Sequence, residues 1–175
     1  NQELKQGVLP QELHTLDLGC HFDQELLPEV LPQKLHTLYL SNSHNKKLNL
    51  KTLPQGLHTL YPGMSFNKEL KQGDLPKGLH TLIFGIDFNQ ELNPGVLPQG
   101  LHTLHLSFYF NKELVPGVLP QKLHTLKLGY LFSKKLTLEA LPQQLHVIKV
   151  PVNYEHLQSL HEISKCVNFK IKIDY

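Results

Sequence analysis

The chain has 175 residues, which suits one ordinary domain, and 40% of them are apolar, enough for a sizeable core. A net charge of +2 without a basic stripe argues against nucleic acid, and no apolar run approaches the roughly 20 residues that span a membrane. Two cysteines, Cys20 and Cys166, are too few and too far apart for a disulfide framework or a metal-ligand spacing, so a reducing compartment is expected.

From the N-terminus onward one pattern recurs every 22 residues. Leu-Pro stands at Leu9, Leu31, Leu53, Leu75, Leu97, Leu119 and Leu141. Leu-His-Thr-Leu follows at Leu13, Leu35, Leu57, Leu79, Leu101 and Leu123, and then as Leu145-His146-Val147-Ile148. An aromatic follows at Phe22, Phe66, Phe88, Phe110 and Phe132, with His44 as the exception, and a Leu lies four positions after each. A unit this short cannot bury its own apolar face, so the copies must stack. No signal peptide is visible; Asn1-Gln2-Glu3-Leu4 reads as the tail of a repeat whose Phe is missing, which leads us to expect more chain before it.

Within a unit, Thr103-Leu104-His105-Leu106 alternates outward and inward and predicts a short strand. Stacking identical strands gives a parallel sheet along one side. The Pro-Gly and Leu-Pro segments deny the other side regular helix or central strand, so turns and extended backbone are expected there. The predicted fold is mainly β, a right-handed solenoid of seven or eight coils. Residues 1–151 form the repeats and residues 152–175 a C-terminal cap. In the cap, a short helix is expected from Asn153-Tyr154-Glu155-His156, with Leu157, Leu160 and Ile163 on one face. A last strand is expected over Cys166 to Ile173, with Val167, Phe169, Ile171 and Ile173 alternating. Tyr154 falls 22 residues after Phe132 and keeps the register.

Leu-x-x-Leu-x-Leu followed by an Asn-bearing turn is leucine-rich-repeat grammar. Phe66-Asn67-Lys68-Glu69-Leu70, Phe88-Asn89-Gln90-Glu91-Leu92 and Phe110-Asn111-Lys112-Glu113-Leu114, joined to Leu-Pro-x-x-Leu-x-x-Leu, resemble the FNIP repeat family of social amoebae and giant DNA viruses. Glu or Lys stands before the Leu where the family's name motif has an apolar residue. In that family an F-box often precedes the repeats. The resemblance therefore implies a non-catalytic protein-interaction scaffold, a viral protein in the host cytoplasm, and a ubiquitin-ligase link as a substrate-recruiting arm. The alternative is a structural or assembly component such as a particle surface protein.

The candidate partner site lies on outward positions that vary while the core does not. The first row reads Asp17, Tyr39, Tyr61, Ile83, His105, Lys127 and Lys149. Three residues on, a second row reads Cys20, Asn42, Met64, Ile86, Phe108, Tyr130 and Val152, unless part of it tucks into the turn. Tyr39, Tyr61, Met64, Ile83, Ile86, His105, Phe108 and Tyr130 are the predicted partner-binding residues, since clustered aromatics and Met mark interaction sites. The column His14, His36, His58, His80, His102, His124 and His146 reads as a solvated edge, with a pH-responsive column or paired-imidazole metal binding as alternatives. The Thr15-to-Thr125 column reads as strand formers rather than an ice-ordering face, because its neighbouring row is rough. The Asn following each Phe should bridge adjacent turns. No nucleophile, base and acid converge, no metal or cofactor motif occurs, and no enzyme is expected.

Overall fold

The computed structural model describes residues 2–174; Asn1 and Tyr175, the outer ends of the repeat and cap readings, lie outside the described residues. The strands are β1 (Thr15–Asp17), β2 (Thr37–Tyr39), β3 (Thr59–Tyr61), β4 (Thr81–Ile83), β5 (Thr103–His105), β6 (Thr125–Lys127), β7 (Val147–Pro151) and β8 (Lys170–Asp174). They form one sheet in chain order, parallel throughout. The register matches the repeat residue for residue: Thr15 opposes Thr37, Leu16 opposes Leu38, Asp17 opposes Tyr39.

Each strand is short because tight turns flank it. Before it, the Leu N–H at Leu13, Leu35, Leu57, Leu79, Leu101, Leu123 and Leu145 donates to the carbonyl of the Pro three residues earlier at 3.0 to 3.1 Å. Proline is well placed there, since it presets the backbone and its own carbonyl closes the turn. After the strand the chain bends through a column of small residues: Gly19, Ser41, Gly63, Gly85, Ser107 and Gly129. A Cβ at Gly63 would collide with the Ser41 carbonyl oxygen, and one at Gly129 with that of Ser107, so the backbones of adjacent coils touch at this bend. Opposite the sheet the chain runs through turns, with one 3-10 turn at Leu138–Ala140.

The core is a set of columns along the solenoid. The motif leucines Leu35, Leu38, Leu57, Leu60, Leu79, Leu82, Leu101 and Leu104 are wholly excluded from solvent. Phe66, Phe88, Phe110 and Phe132 stack with ring centroids 5.9, 6.1 and 6.3 Å apart, and Tyr154 continues the column 6.1 Å beyond Phe132. The Tyr154 hydroxyl reaches the Lys134 carbonyl at 2.9 Å, which satisfies the polar end of an otherwise buried ring. Phe84, where most other coils have Leu, stacks on Phe88 at 3.9 Å.

Beside the Phe column runs the polar ladder expected from the motif. Asn67, Asn89, Asn111 and Ser133 each donate a backbone N–H at 3.0 Å to the side-chain Oδ1 of the Asn one coil earlier. Asp23 takes the same part for Asn45, at 3.4 Å. These bonds satisfy backbone donors that turns would otherwise leave orphaned.

The cap departs from its predicted boundaries. The helix α1 is Leu157–Val167; Asn153 to His156 form the preceding turn, with Tyr154 N–H on the Pro151 carbonyl at 3.1 Å. Cys166 and Val167 belong to α1, not to the last strand. Val167 continues the Leu157, Leu160, Ile163 stripe at helical spacing, so packing on the core wins over alternation. Asn168, in the left-handed conformation with φ 57°, ends the helix, and β8 starts at Lys170. Phe169 is buried, while Ile171 is half-buried and Ile173 exposed, because β8 is the outermost strand.

Two adjacent coils break the pattern. His44 is 1% exposed in the Phe column, and both its ring nitrogens lack a hydrogen-bond partner. One coil on, Pro62 replaces the last Leu of the strand motif, in the column of Leu18, Leu40, Leu106 and Leu128. Leu40, Phe84, Leu106 and Leu128 donate their N–H to the neighbouring strand at 2.8 to 3.0 Å, and Pro62 has no N–H to donate. The β3–β4 pairing accordingly ends at Leu60–Leu82, one pair short of β2–β3 and β4–β5.

Candidate interaction face

Because alternate strand residues point to opposite faces, a fixed inward Leu forces the residue after it outward in every coil. The first outward row is half-buried from Tyr39 to Lys149, since each side chain leans on those of the flanking coils. Tyr39 and Tyr61 stack with centroids 4.3 Å apart. Burial and the neighbouring Tyr39 push the Tyr61 hydroxyl pKa up.

The second row stays outside the core. Met64, Ile86, Phe108, Tyr130 and Val152 are 39 to 52% exposed, and Cys20 is exposed as well. The small-residue bend turns this row outward before the Phe column turns the chain back in. Phe108 stacks on Tyr130 at 4.9 Å and meets Tyr109 edge-on at 5.1 Å. All eight predicted partner-binding residues therefore lie on one face, in two neighbouring rows.

Between the rows the backbone bend leaves a depression. One cavity of about 310 Å³ lies among Tyr39, Tyr61, Met64 and Ile83, with Asp17 at its end. A second, of about 360 Å³, lies among Ile83, His105, Phe108, Tyr130 and Lys127, with Asp174 at its end. Ile83, Phe84 and Gly85 line both, so the two form one trough crossing the strands. A Cβ on Gly85 would collide with the Gly63 backbone, which keeps the floor at mid-trough free of side chain.

The trough is electrically polarised. Its first row begins with Asp17 and ends with Lys127, Lys149 and, on β8, Lys172. Lys127 Nζ contacts Asp174 Oδ2 at 2.5 Å. Burial depresses the His105 pKa, Lys127 and Lys149 depress it further, and Asp174 opposes them. Sequence reasoning did not single out Asp174. The signal was there in the cap strand, where Asp174 pairs with Pro151 at the bend column, but placing it needed the register of β8.

The histidine column is real, with centroids of successive rings 4.9 to 5.2 Å apart from His14 to His146. His102 is held below the usual imidazole pKa by burial first, then by His80, His124 and Lys122. No three potential ligands converge on a point among the described residues, so a metal would have imidazole pairs only.

The FNIP Repeat family model matches residues 1–43, 66–109 and 110–151. The chain belongs to the FNIP repeat family. The matched stretches skip residues 44–65, which hold His44 and Pro62. The fold is also that of CroV588, whose crystal structure is described as a novel circular LRR protein. The two agree with a TM-score of 0.93 at 34% identity over 99% of this chain, which spans 26% of that one. No curated protein matches the chain.

Proposed function

We propose that this FNIP solenoid is a non-catalytic protein-binding module whose partner sits on the sheet face. The observation that carries the reading is the contrast between columns. Core positions hardly change from coil to coil, whereas the outward rows diversify and gather Tyr61, Met64, Ile83, Ile86, Phe108 and Tyr130 in one patch. Exposed aromatic and Met side chains clustered around a trough suit a binding centre, with charged residues at its ends as rim. Within a longer chain such a face would serve as a recruiting arm, the ubiquitin-ligase role included. Exposed free Cys20 and Cys166 suit a reducing compartment such as cytoplasm.

The test is capture by crosslinking and mass spectrometry with the wild-type chain and the triple variant Tyr61→Ser, Ile83→Ser, Phe108→Ser. Partners specific to the wild type should vanish from the variant while circular dichroism stays unchanged. Retention of the same partners by the variant overturns the reading.

A second reading, an assembly element, is favoured by the outer edge of β8 and by likeness to a protein described as circular. It expects concentration-dependent, end-to-end oligomers by light scattering that survive the triple substitution. A monodisperse monomer at high concentration excludes it.

A further inference from the structure

The two ends of the trough carry opposite charge, and the basic end already holds a carboxylate of the chain's own. Asp17 stands at the β1 end, exposed, with its Oδ1 accepting only the N–H of Gly19 at 2.8 Å among the described bonds. At the β6 end, Lys127 and Lys149 adjoin in the same row, and Asp174 reaches Lys127 from the cap strand. Asp174 arrives from the chain's own last strand, is half-buried, and lines the second cavity. Between the ends the walls are mainly apolar: the Tyr39–Tyr61 stack on one row, the Phe108–Tyr130 stack on the other, and Ile83 at the junction, with His105 and Asn42 as the polar exceptions.

Resting on the binding reading above, we propose that the trough takes an extended peptide segment with an acidic residue at its β6 end and apolar side chains along its middle. The acidic residue replaces Asp174 on Lys127, with Lys149 beside it in the row, and a basic residue at the other end meets Asp17. Strand spacing sets the length. Five steps from β1 to β6 cover roughly 24 Å, which roughly seven extended residues span. The two cavities, of about 310 and 360 Å³, are too small for a helix about 10 Å across over this length, so the segment is taken as extended. Along the floor the N–H groups of Leu40, Phe84, Leu106 and Leu128 are already bonded to the next strand, so side chains rather than added strand pairing carry selection. Asp174 then acts as an internal competitor that keeps Lys127 paired when the trough is empty.

The experiment is selection of a randomised nine-residue peptide library displayed on messenger RNA against the whole chain. Enriched sequences should carry Asp or Glu at one end, with Val, Leu, Phe or Tyr alternating inward. The charge-reversed pair Lys127→Glu, Lys149→Glu should switch that end from acidic to basic. Asp174→Asn should bind the wild-type selectants severalfold more tightly, because it removes the competitor and leaves the lysines in place. Lys127→Arg should keep the acidic preference.

Enrichment without an acidic end, an unchanged preference in the charge-reversed pair, or no enrichment at all overturns the inference. Failure of the underlying reading looks different. Selectants that bind the Tyr61→Ser, Ile83→Ser, Phe108→Ser variant as well as the wild type do not use this face at all. Selectants lost in that variant but lacking an acidic end leave the face standing and remove only the peptide chemistry proposed for it.

Discussion

His44 occupies the Phe column between Phe22 and Phe66 with both nitrogens buried and unpartnered. A buried polar group left without a partner costs about 1–3 kcal/mol. Burial lowers its pKa, and Asp23 only partly opposes this. The unfolded chain therefore takes up a proton near pH 6.5, the ordinary imidazole value, while the folded chain does not. Stability contributed by neutral His44 is fully present above that pH. It falls as pH drops below the unfolded pKa and levels off below the folded one. His44→Phe should raise stability by about 1–3 kcal/mol at neutral pH and flatten the loss between neutral and mildly acidic pH. Urea denaturation of both proteins at several pH values measures it. A parallel loss in both would clear His44 of any part.

The Asn ladder is the second residue-scale device. Asn89 Oδ1 accepts the Asn111 N–H at 3.0 Å. Removing it in Asn89→Ala leaves that N–H without its acceptor and should cost about 1–3 kcal/mol. Asn89→Asp keeps an acceptor, as Asp23 does for Asn45, and should cost much less. Thermal melts that add Asn89→Leu, which keeps the bulk without the acceptor, separate the causes: a hydrogen-bond role makes Leu about as costly as Ala, whereas simple loss of bulk makes it nearly neutral. This ladder was legible in the sequence because a short polar side chain recurred at one register position next to buried Phe. The charge pair Lys127–Asp174 was not, because its partners come from different repeats and the second lies past the point where the period stops.

At the scale of elements, the strands could be read from sequence because a strand's period is two and the repeat's inward leucines never shift. The Leu-Pro turn was equally plain, since proline limits the backbone to few choices. The cap was read less well. Alternating Val167, Phe169, Ile171 and Ile173 fits a strand, and Leu157, Leu160, Ile163 and Val167 fits a helix; one residue, Val167, fits both. Only tertiary packing decides, and α1 takes Val167 because its stripe lies against the core. The two outward rows carried a similar ambiguity. Sequence left open whether Met64, Ile86, Phe108 and Tyr130 complete the core, and the touching backbones at the Gly/Ser bend are what exclude them. No side chain at that column could have signalled this except through its smallness.

At the scale of the whole molecule the stack behaves as a line of coils held by their neighbours, so local defects are not averaged over a global core. Both defects fall in one stretch. His44 weakens the Phe column, Pro62 deletes a rung between β3 and β4, and the family model's matches skip the same residues, 44–65. A solenoid with one weak junction should open there first and couple its two halves poorly. Amide hydrogen exchange should accordingly be faster from Ser41 to Gly63 than from Leu97 to Leu128, where the Phe column, the Asn ladder and the strand rungs are all intact. Denaturant unfolding should show the same junction as a transition shallower than a cooperative chain of this size gives, because the halves come apart in separate steps. The double variant His44→Phe, Pro62→Leu restores the ring and the N–H together. It should slow exchange through Ser41 to Gly63, raise the melting temperature and steepen the transition. Equal protection of the two regions in the wild type would mean that the column of excluded leucines, Leu57 and Leu60 among them, holds this junction as firmly as the rest. In that case the trough, which crosses the junction between Tyr61 and Ile83, would be a rigid surface rather than one that adjusts to what it binds.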